Sequence, residues 1–267
     1  MIKRDEIRAK IAARHDNPLL RTMIRTCEKF LRAYNNQLNW NVEVNGEANA
    51  LRMITRALHG DVFDVGANEG QWATMALRTI GNKRLHCFEV IPLTFQSLKE
   101  KVGSSLQVTC NNFGLGSHNS KIDMYYYPDS TDRTSAYYID DGLNKEKTQI
   151  SVMRGDDYIK QREISQISFL KIDVEGMEMD VLIGLERSFK ARIIKAVQFE
   201  HGPAHIISRH FLRDFSKFFE AYDFELFRCY PHGLRKVNYD IGRDESFVGE
   251  NFVSIARECS RSVAVSP

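Results

Sequence analysis

The chain has 267 residues, 43% hydrophobic and 27% charged, with a net charge of +2. That balance describes one large or two small globular domains, excludes a disordered chain, and places no global demand on nucleic acid or an acidic partner. No apolar run reaches membrane-spanning length, the start Met1-Ile2-Lys3-Arg4-Asp5-Glu6 lacks a signal-peptide core, and the five cysteines form no C-x-x-C pair, so the cytoplasm is the expected compartment.

Residues 1–58 read as an N-terminal helical cover. Ile7, Ile11, Leu19, Leu20, Met23, Ile24, Phe30 and Leu31 recur at broken helical spacing, and the surplus of Lys and Arg reads as a solvated face. Asn35 to Asn41 is polar and loop-like. From residue 59 to 267 strand and helix patterns alternate, the sign of an α/β domain with a mostly parallel sheet covered on both faces.

The first strand, Val62-Phe63-Asp64-Val65, runs into Gly66-Ala67-Asn68-Glu69-Gly70, and Trp72, Ala73, Ala76, Leu77 and Ile80 follow at helical spacing. A glycine-bearing turn at this point lets a ligand approach the backbone at the carboxyl edge of the sheet. The second strand, Leu85 to Phe88, ends at Glu89, whose carboxylate can accept hydrogen bonds from both hydroxyls of a ribose. A dinucleotide fingerprint needs a second glycine to admit a pyrophosphate, but Asn68 stands there. S-adenosylmethionine has no phosphate and fits better, with Asp64 as the acceptor for its ammonium. Asp64, Gly66, Ala67, Asn68, Gly70 and Glu89 are therefore candidate cofactor-binding residues. Asn112, in the loop after the third strand (Leu106 to Cys110), joins them.

Pro92 opens a helix carrying Phe95, Leu98 and Val102. Lys121 to Tyr127 and Gln149 to Met153 read as an inserted pair of strands, with polar Asp129 to Lys147 between them as a candidate lid. Ser168 to Ile172 is a strand ending at Asp173, with its helix over Met177 to Leu185. Asp173 can position the methyl acceptor, act as a base or help bind a divalent cation such as Mg²⁺, and it also faces the cofactor. Glu178, in the first helical turn, reads as a structural carboxylate. Ala196 to Phe199 leads to Glu200 and His201, either of which can accept a hydroxyl proton. His201 and His205 are four apart, but Gly202-Pro203 keeps them off one helix face. A phenylalanine stripe from Phe211 reads as core. Phe224 to Tyr230 and Phe252 to Ala256 close the chain as antiparallel strands.

The segments Val62-Phe63-Asp64-Val65-Gly66-Ala67-Asn68-Glu69-Gly70, Phe88-Glu89 and Phe169-Leu170-Lys171-Ile172-Asp173-Val174-Glu175-Gly176-Met177-Glu178 together resemble the FkbM family of S-adenosylmethionine-dependent methyltransferases. The resemblance covers about residues 46–257. It implies a Rossmann-like seven-stranded sheet with an antiparallel C-terminal strand, and O-methylation of a glycan or natural product. Two local departures stand out: Val90 replaces a frequent proline, and Arg154-Gly155-Asp156-Asp157 replaces T-L-D-D, where Gly155 is expected to loosen the acceptor side.

Two other classes stay open from the residues alone. A nicotinamide oxidoreductase of the short-chain type needs tyrosine and lysine four apart, and none of the ten tyrosines has that lysine. A non-catalytic interaction protein would keep the fold without the chemistry, against which the retained Asp64, Glu89 and Asp173 argue. Nucleic acid as acceptor lacks both an adjacent Pro-Pro-Tyr and a basic excess. The expected acceptor is a small molecule or glycan.

Overall fold

The computed structural model describes residues 4–127, 130–135 and 142–263. The chain divides into two compact units, Met1–Leu38 and Asn39–Pro267. The first unit holds α1 (Arg4–Ala12) and α2 (Pro18–Tyr34). Asn17 caps α2, its Oδ1 accepting from the amides of Leu19 and Leu20 at 2.9 and 3.3 Å, and Pro18 occupies the first turn, where no amide is needed.

In the second unit α3 (Glu47–Ala57) precedes β1 (Asp61–Val65), α4 (Gln71–Leu77), β2 (Leu85–Phe88), α5 (Pro92–Val102) and β3 (Val108–Asn111). The inserted segment supplies β4 (Gly114–Gly116), β5 (Ser120–Tyr127), β6 (Ser130–Ser135) and β7 (Glu146–Arg154). The chain then resumes with α6 (Gly155–Gln161), β8 (Ile167–Ile172), α7 (Glu178–Gly184), α8 (Glu186–Lys190), β9 (Ala196–His201), α9 (Ala204–Ser208) and α10 (Leu212–Ala221). It closes with β10 (Phe224–Tyr230), β11 (Gly233–Lys236), α11 (Ile241–Asp244), β12 (Glu250–Ala256) and α12 (Arg257–Ser260).

The main sheet has eight strands in the order β11-β10-β12-β9-β8-β1-β2-β3. From β3 through β9 every pairing is parallel, whereas β12 is antiparallel to both β9 and β10. This is the expected mostly parallel methyltransferase-type sheet with its reversed C-terminal strand. The eighth strand is β11, which turns back on β10 as an edge hairpin. Its four residues, Gly-Leu-Arg-Lys, carry too little apolar pattern to be read as a strand.

The strand order reverses at β1, since β2 and β3 lie on one side of it and β8 and β9 on the other. In such sheets ligands bind beyond the carboxyl ends of the strands flanking that point. β1 and β8 are buried at every position, as strands covered on both faces must be. Helix α3, grouped by sequence with the N-terminal cover, packs into the core of the second unit through Ala50, Leu51 and Ile54. The phenylalanine stripe is core at Phe215 and Phe219, with Phe215 stacked 4.7 Å from Phe199, but Phe211 is exposed as the residue before α10.

The inserted strands form a second sheet in the order β4-β7-β5-β6. β5 and β7 pair antiparallel as expected, and part of the polar segment read as a lid is the strand β6, paired with β5. Of the Asp129 to Lys147 segment, residues 129 and 136–141 lie outside the described residues, and Glu146 and Lys147 begin β7.

Candidate functional site

Four strand ends meet at the reversal point. The turn after β1 is closed by the amides of Gly66 and Ala67, which donate to the Phe88 carbonyl at 3.0 and 2.9 Å. Gly66 has φ 83°, and a β-carbon there would stand 1.8 Å from the backbone oxygen of Asp173. The space a side chain would take at this glycine is filled by the Asp173 backbone just past β8, not left open for a ligand, which corrects the sequence expectation. Asn68 takes the left-handed conformation at φ 48°, which asparagine tolerates better than most residues, and its Oδ1 accepts from the Glu69 amide at 2.8 Å. Gly70 also has positive φ and abuts Leu98, while Ala67 is buried. The turn is thus built by packing, and only Gly66, Asn68 and Glu69 are partly exposed.

Glu89, at the end of β2, is buried, with Oε2 accepting from the Asn68 amide at 2.9 Å and Oε1 from the Ile91 amide at 2.8 Å. Burial pushes its carboxyl above the ordinary range, and the backbone hydrogen bonds only partly oppose this. Each oxygen keeps a second lone pair. Asn112 braces the same corner, its Nδ2 donating to the Glu89 carbonyl at 2.8 Å.

Asp64 departs from the expectation that it meets a ligand's ammonium directly. It is fully buried, because strand alternation turns it onto the sheet face beside its register partner Lys171 instead of out past the strand end. Neither carboxylate oxygen has a hydrogen-bond partner, and the nearest cation is Lys171 Nζ, 3.5 Å from Oδ1. Burial raises its pKa to about 6 despite that ammonium. Lys171 in turn donates to Asp173 Oδ2 at 3.1 Å and lies over the Trp72 ring at 5.8 Å. Burial works against the charge on Lys171, but Asp173, Asp64 and Glu47 together hold its pKa above the ordinary value. Glu47 of α3 is also buried, accepting from Asn45 and Gln198 at 2.6 Å each. Sequence reasoning missed Lys171, Glu47 and Gln198 as a network. The available signal was a lysine inside an otherwise apolar strand, in register with Asp64.

The turn after β8 explains the D-V-E-G-x-E spacing. Glu175 and Gly176 both have positive φ, and Glu178 closes the loop by accepting from the Val174 amide at 2.9 Å and the Gly176 amide at 3.0 Å. His205 Nε2 lies 2.8 Å from Glu178 Oε2. Burial alone would raise the Glu178 carboxyl, but His205 and the amides outweigh it and hold the pKa below the usual value. Glu178 is structural, as its place in the helix suggested.

Asp173, Glu175, Glu178 and Glu200, with Gly202 and His205, line a small pocket that opens to solvent. Asp173 keeps 35% of its side chain exposed there. Glu200 is pushed well above the ordinary carboxylate pKa, first by burial and then by Asp173 and Glu175. His201 does not reach this pocket. It points to the other face of β9, buried between His205 and Phe247 at ring distances of 4.7 and 4.8 Å, and burial lowers its pKa to about 4. The two histidines come together by stacking between a strand end and α9. Gly155 does not adjoin the pocket either, since a β-carbon there would meet Leu185 at 2.6 Å. Its neighbour Asp156 caps α8 through the amides of Arg187 and Ser188, both at 3.0 Å.

The chain is similar to known methyltransferases. A 31-O-demethyl-FK506 methyltransferase FkbM of Streptomyces tacrolimicus is 29% identical over 172 residues, 53% of this chain and 66% of that one. The hexuronic acid methyltransferase AglP of Haloferax volcanii is 26% identical over 156 residues, 57% of this chain and 62% of that one. The chain thus spans less than two thirds of either relative. A crystal structure of methyltransferase FkbM from Methylobacillus flagellatus has 14% identity and a TM-score of 0.47, over 73% of this chain and 43% of that one. Residues 64–226, which run from the buried Asp64 into β10 and include every strand end of the crevice, match the methyltransferase FkbM domain, and the chain belongs to that family.

Proposed function

We propose that the chain transfers the methyl group of S-adenosylmethionine to a hydroxyl oxygen of a sugar or glycosylated small molecule. The observation that carries this reading is the Glu89 corner. A buried carboxylate, fixed by two backbone amides at the end of β2, retains acceptor capacity on both oxygens, which suits the paired hydroxyls of a ribose. Asn68 and Asn112 border the same corner, and no second glycine opens the turn to a pyrophosphate. The relatives named as a 31-O-demethyl-FK506 methyltransferase and a hexuronic acid methyltransferase support methyl transfer to an acceptor of this kind.

The bound cofactor would supply an electrophilic methyl group on a sulfonium. The chain's own residues would orient the acceptor and take its proton. Asp173, half-exposed and tethered by Lys171, is placed to accept a hydrogen bond from the acceptor hydroxyl. Glu200, lining the same pocket as Asp173, is the carboxyl group that would receive that proton. His201 has no part in this scheme. Because the pocket is lined by carboxylates, a neutral sugar is favoured over a uronic acid, whose own carboxylate would face Asp173 and Glu175. We read residues 39–263 as the catalytic domain, with α1 and α2 outside it.

Two measurements test the reading. Calorimetry should give S-adenosylmethionine binding in the micromolar range, about 8 kcal/mol, and no comparable NAD binding. A labelled-methyl screen should then mark neutral sugar nucleotides, oligosaccharides or glycosylated metabolites. Label appearing only in protein or RNA would overturn the acceptor class.

A further inference from the structure

Helix α2 has no buried residue, yet its apolar side chains are sorted onto one face. Leu19, Met23, Ile24, Phe30, Leu31 and Tyr34 are all exposed, Leu19 by 75% and Phe30 by 68%. At roughly 100° per residue they fall within an arc of about 140°. Arg21, Arg25, Lys29 and Arg32 occupy an arc of about 80° on the opposite side, with Glu28 the single acid of the helix. The helix is capped at its start by Asn17, so it is a defined element with a fixed face.

From this pattern we infer that α2 is a membrane-surface helix that lies in the interface of an anionic bilayer. Its apolar face is broader than the narrow seam that two packed helices share. Its polar face is one-signed: pairing with a second copy of the helix would bring no acidic row to meet the arginines, whereas anionic headgroups supply that charge. A helix with a strong apolar face, a basic polar face and modest overall hydropathy is the form that binds in the interface plane. Among the described residues no helix is long and apolar enough to cross a membrane, so the association would be peripheral.

The test uses the full chain in flotation with vesicles of phosphatidylcholine, with and without phosphatidylglycerol. The chain should float with the anionic vesicles, remain in solution with the neutral ones, and be released by added salt. The double variant M23E/F30E should lose at least about tenfold in bound fraction, and R25E/K29E should lose a similar amount. All four side chains are exposed, and circular dichroism with thermal melting should show both variants folded like the parent. A parent chain that stays in solution with anionic vesicles overturns the inference. So does a concentration-dependent dimer in lipid-free sedimentation that M23E/F30E abolishes, because the apolar face would then belong to a second copy.

Discussion

The ammonium of Lys171 lies 3.1 Å from Oδ2 of Asp173, which ties the carboxylate at the mouth of the crevice to a buried cation on the same strand. The same nitrogen stands 3.5 Å from Asp64, the fully buried acid beneath it. Lys171 therefore compensates acids that sheet geometry has placed away from water. Lys171→Met should leave Asp64 and Glu47 buried without a cation and lower the unfolding free energy by about 3–5 kcal/mol in denaturant titrations. A loss below about 1 kcal/mol would mean that these acids are already neutral in the folded chain.

Gly66 makes a sharper claim about backbone. With φ at 83° and the Asp173 carbonyl 1.8 Å from any added β-carbon, even alanine must push β1 away from β8. Gly66→Ala should lower stability by about 3 kcal/mol or more, read from thermal or urea unfolding. A variant that melts like the parent but no longer binds S-adenosylmethionine would restore the reading of this glycine as space for the ligand.

Much of the fold was legible because its signals are local. The apolar runs of β1 and β8, the proline at the start of α5 and the alternation of strand and helix each report their element without knowledge of neighbours. The carboxyl-edge residues were legible for the same reason, since Glu89 and Asp173 follow directly after apolar runs. What was not legible depended on side-chain direction and on partners far along the chain. Asp64 reads as a crevice residue until its register with Lys171 turns it inward. His201 and Glu200 are adjacent, yet alternation along β9 sends Glu200 to the pocket and His201 into the packing of Phe247. Glu47 meets Gln198 across 151 residues, a separation no motif spans.

Glu89 links the β1 turn to the candidate ribose corner. Glu89→Ala should strip the amides of Asn68 and Ile91 of their acceptor and weaken S-adenosylmethionine binding by roughly 1.5–3 kcal/mol. Calorimetry with the cofactor or its demethylated product reads this directly. Unchanged affinity would remove Glu89 from the ribose site, whatever its effect on stability.

His201 should be visible in acid. Its folded pKa of about 4 lies below the unfolded value of about 6.5, so the folded chain resists taking up this proton. The stability that depends on the neutral ring is fully present above pH 6.5 and is lost as pH falls towards 4, by about 3 kcal/mol at most. Asp64 acts in the opposite sense, since its raised pKa of about 6 favours the folded chain as pH falls from 6. The two are separated by His201→Asn, which should flatten the acid loss between pH 6.5 and 4 relative to the parent. An unaltered slope would show that the ring is already protonated when folded.

Turnover should divide Asp173 from Glu200. If Asp173 orients the acceptor hydroxyl and Glu200 takes its proton, neither change should strongly affect cofactor affinity, but both should reduce kcat. Asp173→Asn keeps a hydrogen-bonding shape and removes the charge held by Lys171, so kcat should fall by about 10²-fold or more, with KM for the acceptor rising as well. Glu200→Gln removes only the proton-accepting group, so kcat should fall by about 10²-fold with acceptor KM nearly unchanged. Glu200→Gln should also erase the acidic limb of the kcat–pH profile, because that limb reports the ionisation of the base in the complex. A Glu200→Gln enzyme that keeps both its turnover and its acidic limb would move the base to Asp173. Normal turnover in both variants would mean that the hydroxyl loses its proton to water after transfer, and that the carboxylates of this pocket serve binding alone.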